Sequence, residues 1–331
     1  MWDLSFAKIK NVLTKKVSLV ILLIFISNSF IYAKEPKYFD ESFQKLYQKA
    51  LKKKIVTGRF EKIKKGLWEY SIDLKNGQLN GEALLYDKKG YLKESAFYKN
   101  GLLHGQYYKN HKENIPKIYM NFLNGISHGQ FQIFNTDGSL ITEGNLLNGK
   151  RHGIEKTFFH TGQLRSTTNY MNGERQGTSK VYNQNGILIC KADYNKGQIN
   201  GVLEEYYDNG SLKRISNMKN NKNSGLSRVY YPDGKLQVEG YFANGVLHGI
   251  AKEYSPDGFL ISSREYKNGY PVYSLEEIEL MKLQQMYAIE NKVNNLSSEL
   301  RQYQQESRFR SYQGTIYNDG FGYSRVRLNP Y

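Results

Sequence analysis

The chain has 331 residues and a single cysteine, Cys190. One thiol excludes an internal disulfide framework and any cysteine-rich zinc site. Proline is scarce, with 6 residues, which excludes collagen-like and proline-rich linker chains. Long apolar runs are also few: the main one, VSLVILLIFIS, begins at Val17. Hydrophobic residues make up 39% of the chain, so a core is expected, though a thin one. What is abundant is glycine, at 30, and tyrosine, at 28.

The net charge of +16 resembles a nucleic-acid signature only until it is mapped. Residues 1–33 supply +3 and residues 34–65 supply +7, while residues 274–331 balance. The long middle of the chain therefore holds only +6. A nucleic-acid footprint lies along the folded surface. Charge gathered near one end reads instead as a solvated or membrane-adjacent lysine face, and no specific nucleic acid is expected.

Lys8, Lys10, Lys15 and Lys16 precede the apolar run, which ends near a small residue, Ala33. A basic region, an apolar stretch and a small residue describe an export signal. The run is shorter than the roughly 20 apolar residues of a comfortable bilayer span. Residues 1–33 are accordingly read as a signal peptide or, uncleaved, a membrane anchor. No cysteine follows the run to carry a lipid. The expected location is periplasm, cell envelope or cell surface, with secretion an open variant.

A 24-residue period dominates the remainder. Gly77, Gly101, Gly125, Gly149, Gly173 and Gly197 fall on one grid, which continues through Gly245 and Gly269 and is vacant only at Asn221. A second grid runs from Gly81 to Gly249 without a gap, and a third from Gly66 to Gly258 with Asn114 as its exception. Asparagine is the residue after glycine that best tolerates positive φ. Fixed periods of this length signal a repeat array.

Side-chain columns run between the glycines. One is aromatic, including Tyr86, Phe134, Phe158, Tyr182, Tyr206 and Tyr230. A second is leucine, including Leu92, Leu140 and Leu212, and a third joins Tyr98, Phe122, Tyr170, Tyr194, Phe242 and Tyr266. Small residues such as Ala96, Ala192 and Ser216 sit between the last two. Even spacing places leucine, small residue and aromatic on one sheet face. Asn-Gly pairs between alternating segments are strong hairpin signals. Each unit thus reads as two strands and two turns, advancing the sheet by roughly 10 Å. The fold class expected is an all-β repeat protein: an elongated single-layer antiparallel β-meander with a short N-terminal and a long C-terminal helix.

The units YKNGLLHG (98–105), YDNGSL (207–212) and FANGVLHG (242–249) resemble MORN repeats in their bacterial variant form. The resemblance covers about residues 66–273 and implies a scaffolding or binding module with a protein partner, not an enzyme. Similar chains carry the labels antitoxin and phosphatidylinositol-phosphate kinase. The first implies, as an alternative, an immunity-type protein neutralising a toxin by direct binding. The second comes from kinases that also carry these repeats, and this sequence has no trace of a kinase domain. Lys62, Asn110 and Pro116 depart from the pattern, so the first unit and the 105–128 unit are degenerate.

Residues 34–65 are read as a basic N-terminal helix and cap, with Phe43, Leu46, Tyr47, Ala50 and Leu51 on one stripe. Ser274 to Glu277 forms a capping-box pattern opening a helix over 274–307. Met286, Ile289, Val293, Leu296, Leu300 and Tyr303 step through it as a heptad seam. That seam either packs on the sheet edge or self-associates over 286–303. Residues 308–331 lack any period and are expected to form a flexible tail.

Catalytic, cofactor-binding and metal residues are expected to be none. His104, His128, His152 and His248 share a column, but adjacent units are roughly 10 Å apart, too far for two nitrogens on one zinc. Cys190 has no evident histidine partner and is expected to be inert. Better site candidates are the second rings of tandem pairs, Phe159, Tyr207 and Tyr231. If the first ring of each pair stacks in the core column, the second lies on the opposite face, able to bind a protein surface. Ordinary cross-strand stacking is the competing reading.

Overall fold

The Asn-Gly pairs do form hairpins. At Asn148-Gly149 both residues have positive φ, 49° and 77°, and Leu147 pairs with Lys150 across the two-residue turn. Both positive angles match the strand twist, which is why this dipeptide closes hairpins. In the computed structural model, residues 41–311, 315–318 and 324–327 are described, with side chains from 41 to 307. The export-segment reading at 1–33 lies outside the described residues. The chain divides into two units, Met1–Pro271 and Val272–Tyr331.

The first unit contains a 21-stranded antiparallel sheet, from β1 (Gly58–Lys64) to β21 (Tyr270–Pro271). Pairing follows chain order: for example Gln198–Tyr206 pairs with Leu188–Asn195 before it and Leu212–Lys219 after it. Twice a strand is split; Lys150–Arg151 and Gly153–Phe158, for instance, both pair with Leu140–Leu147. The sheet is one open meander of the type expected for the repeats. Asn221 and Asn114 occupy the grid vacancies with φ of 64° and 58°.

At the other end of each hairpin the turn is longer. The Tyr207 amide donates to the Ser211 carbonyl at 2.9 Å, and the Gly210 amide to the Tyr207 carbonyl at 2.9 Å. The degenerate units differ here. Lys64 pairs directly with Leu67 and Lys112 with Ile115, leaving two-residue turns. The longer turn is therefore lost in both units whose ring column is broken, at Lys62 and Asn110.

The buried column is the third one: Tyr98, Phe122, Leu146, Tyr170, Tyr194 and Met218 are 1–5% exposed, and Phe242 and Tyr266 continue it. The column containing Tyr206 and Tyr230 is only half-buried, contrary to the expectation that it forms the core. Alternation along the strand is the reason: Leu203 and Glu205 point into the core, so Tyr206, the next residue, lies on the other face, as Tyr230 does after Val229. The register shift at this point places the extra residue, Lys213, on the partner strand. Core positions are instead filled by Leu203 and Glu205, while Tyr206 turns its hydroxyl to Glu204 at 2.8 Å.

Among the described residues, apolar packing falls into three clusters: one from Phe43 to Leu146, one from Cys190 to Met218, and one from Val229 to Tyr266. Between the first two the buried positions are largely polar, including Glu155, Thr157 and Ser179. Arg151 bridges this stretch, pairing with Glu155 at 3.1 Å and lying 5.0 Å from the Tyr170 ring centre. Burial raises the Glu155 carboxyl above its ordinary range, against the pull of Arg151 and Arg175.

Helix α1 (Glu41–Lys52) buries Phe43, Leu46 and Ala50. Phe43 meets Tyr98 edge-on with ring centres 6.3 Å apart, and the Tyr47 hydroxyl donates to the Gly77 carbonyl at 2.6 Å. The helix thus lies over the face of the first hairpins, and β1 remains the outermost paired strand.

In the second unit, helix α2 (Leu275–Ser311) begins with the expected reciprocal cap. The Glu277 amide donates to Ser274 Oγ at 3.2 Å, and the Ser274 amide donates to Glu277 Oε2 at 2.8 Å. The tail is not irregular throughout: Thr315–Asn318 pairs with Ser324–Arg327. Four residues in each segment form a hairpin too short to leave a period in the sequence. No described helix is long and apolar enough to cross a membrane.

Candidate interaction surface

The rim formed by the longer turns carries the three expected site residues. Phe159, Tyr207 and Tyr231 occupy the same position in their units, immediately after the first ring of each pair, and all three are half-buried. Tyr207 does not hang free. Its hydroxyl donates to the Tyr230 carbonyl at 2.7 Å, and Tyr231 repeats the bond to the Tyr254 carbonyl at 2.9 Å. His111 occupies the same place in its unit, its Nε2 3.1 Å from the Phe134 carbonyl, which makes the ring nitrogen the donor.

Each bond crosses to the next repeat, so these rings fasten neighbouring units together as well as facing outward. Burial raises the hydroxyl pKa of Tyr207 and Tyr231. Tyr206 is pushed up to about 12, mainly by burial and then by its bond to the Glu204 carboxylate. All three hydroxyls are therefore protonated donors at neutral pH.

Further bonds stiffen the rim. Ser211 Oγ donates to the Pro232 carbonyl at 2.9 Å, and Lys235 Nζ to the Pro256 carbonyl at 2.9 Å. Cations lie beside two rings: Lys213 Nζ is 5.3 Å from the Tyr207 centre and Arg165 Cζ 5.9 Å from that of Phe159. Both separations fall within cation–π range. The result is an anchored row of aromatic and basic groups. Groups of these kinds are able to stack, to make cation–π contacts and to hydrogen-bond.

The other candidates sit elsewhere. His104 Nδ1 lies 3.2 Å from Asn124 Oδ1, a contact between neighbouring turns. Among the described residues no three of His, Cys, Asp and Glu are placed to hold a metal ion. Cys190 is 1% exposed, and burial, aided by the Glu205 charge, pushes its thiol up to about 12.

A further column escaped the sequence reading. Asp73 Oδ2 accepts from the Glu82 amide at 3.2 Å, and Asn121 Nδ2 donates to the Gln130 carbonyl at 3.0 Å. Asn217 repeats the bond to the Leu226 carbonyl at 3.3 Å. Short polar side chains at this position satisfy backbone groups where the ladder is interrupted. Their 24-residue spacing was the available signal, hidden because Phe97 and Tyr241 occupy the same column.

No curated protein matches the chain. The solved structures described as "Crystal Structure of TcdB2-TccC3" and "Crystal Structure of TcdB2-TccC3-Cdc42" are similar to it at 12% identity over 62% of this chain, each with a TM-score of 0.13. This chain spans 15% of theirs. The model of the MORN repeat variant matches at residues 151–172, 199–220, 224–244 and 247–268. These four segments follow the 24-residue period of the sheet, and each is similar to the MORN repeat variant.

Proposed function

We propose that the chain is an exported, non-enzymatic repeat scaffold that binds a protein partner at the cell envelope through the rim of longer turns. The observation that carries this reading is the anchoring of Tyr207 and Tyr231, whose hydroxyls are held by the following unit. A ring already fixed in place loses little rotamer freedom on binding, so more of its contact energy appears as affinity. Tyrosine is enriched among residues that dominate protein interfaces. Lys213 and Arg165 favour a partner surface with carboxylates among its apolar groups. The basic residues before the apolar run at Val17 support export.

The test separates ring from hydroxyl. Tyr207→Phe/Tyr231→Phe and Tyr207→Leu/Tyr231→Leu both remove the inter-unit bonds, but only the second removes the rings. Envelope proteins captured by the full chain should be retained by the Phe variant and lost by the Leu variant. Equal capture by all three proteins would remove this rim as the binding surface. Fractionation of expressing cells tests the location separately, with recovery in the cytoplasm counting against export.

A further inference from the structure

Helix α2 carries an apolar seam that is exposed along its whole length. Met286, Ile289, Val293, Leu296, Leu300 and Tyr303 are each between 54% and 71% exposed. They alternate in steps of three and four, the spacing that keeps one stripe facing a partner helix. The stripe is bounded. The preceding seam positions are Glu279 and Lys282, and the next ones after Tyr303 are Ser307 and Arg310. Away from the seam the middle of the helix is polar, at Asn291, Asn294, Asn295 and Ser298.

The flanking positions specify the occupant. Lys292 and Glu299 lie on the same flank of the seam, one heptad apart, and both are exposed. In an antiparallel pair of identical helices this flank meets itself. With Val293 of each copy layered on Leu296 of the other, Met286 faces Tyr303 and Ile289 faces Leu300, so every seam position is matched. In that register Lys292 of each copy faces Glu299 of the other, giving two reciprocal opposite-charge pairs. In a parallel pair Lys292 would face Ser297 and Glu299 would face Gln304, with no charge pairing. We infer that the 286–303 seam joins two copies of this chain as a short antiparallel coiled coil. This goes beyond the rim reading and holds independently of any partner bound there.

The experiment uses the full chain. Sedimentation should show a monomer–dimer equilibrium, shifted to monomer by Val293→Asp/Leu296→Asp with helix content unchanged. Lys292→Glu should raise the dimer dissociation constant about tenfold, since two attractive pairs become repulsive. Lys292→Glu/Glu299→Lys should restore it. Orientation is read by mixing Met286→Cys with Tyr303→Cys under mild oxidation, which should give the mixed disulfide. These positions are roughly 25 Å apart along one helix, so a parallel pair cannot join them. A wild-type monomer at all concentrations would overturn the dimer. Self-linked Met286→Cys without the mixed product would overturn the antiparallel register.

Discussion

The Tyr207 hydroxyl donates a 2.7 Å hydrogen bond to the carbonyl of Tyr230, one repeat further along the chain. The bond makes a surface ring part of the interface between units. Stability in a repeat array is a sum of unit and nearest-neighbour terms, so one residue here serves both the scaffold and its exposed rim.

Removing the hydroxyls should therefore be felt in stability. Tyr207→Phe and Tyr231→Phe should each cost about 1 kcal/mol, the net worth of an ordinary hydrogen bond. Denaturant titration of each variant checks this. Unchanged stability in both would show that the bonds to Tyr230 and Tyr254 contribute nothing.

Two glycines on different grids should respond differently to alanine. Gly201 has φ +130°, and a Cβ there would lie 2.9 Å from the Asp193 Cβ. Gly186 has φ +78° and open space around it. Strained backbone costs about 1–3 kcal/mol, so Gly186→Ala should fall near the lower end and Gly201→Ala at or beyond the upper. Equal losses would contradict the close approach at Asp193.

The polar stretch around Glu155 and Ser179 separates the apolar clusters, so the array should unfold in blocks. Phe43 is fully buried against the first hairpins, and Phe43→Ala should cost about 3–5 kcal/mol. Hydrogen exchange should show lost protection over 41–146 and little change over 190–266. Uniform loss would mean that the three clusters unfold together.

Cys190 should resist alkylation in the folded chain at pH 8 and react fully in denaturant. Its folded pKa is raised to about 12 by burial, so the thiolate is nearly absent at that pH. Because the folded value lies above the unfolded one, the linked stability is complete below about pH 8.5 and is lost as pH rises toward 12. Rapid native labelling would contradict the burial.

The glycine grids made the hairpins legible, since Asn148 and Gly149 have a conformational requirement that few residues meet. The capping box at Ser274 and Glu277 was equally local. The face of Tyr206 was not legible. The recurring ring suggested the core, but alternation puts Glu205 inward and Tyr206 outward, and a carboxylate at an inward position is what hid this. The hydroxyl bonds of the rim were hidden for a different reason: Tyr207 and Tyr230 meet only after the turn has closed. The hairpin at Thr315–Asn318 and Ser324–Arg327 is too short for a periodic signal.

Crosslinking in expressing cells decides whether the rim binds protein. A photoreactive phenylalanine analogue replacing Phe159 should yield a discrete adduct with another protein. The same analogue replacing Lys150, on the opposite rim beside the Asn148-Gly149 turn, should not. The expected adduct from Phe159 should also disappear with Tyr207→Leu/Tyr231→Leu. Equal adducts from both rims, or none from Phe159, would contradict binding at the rim.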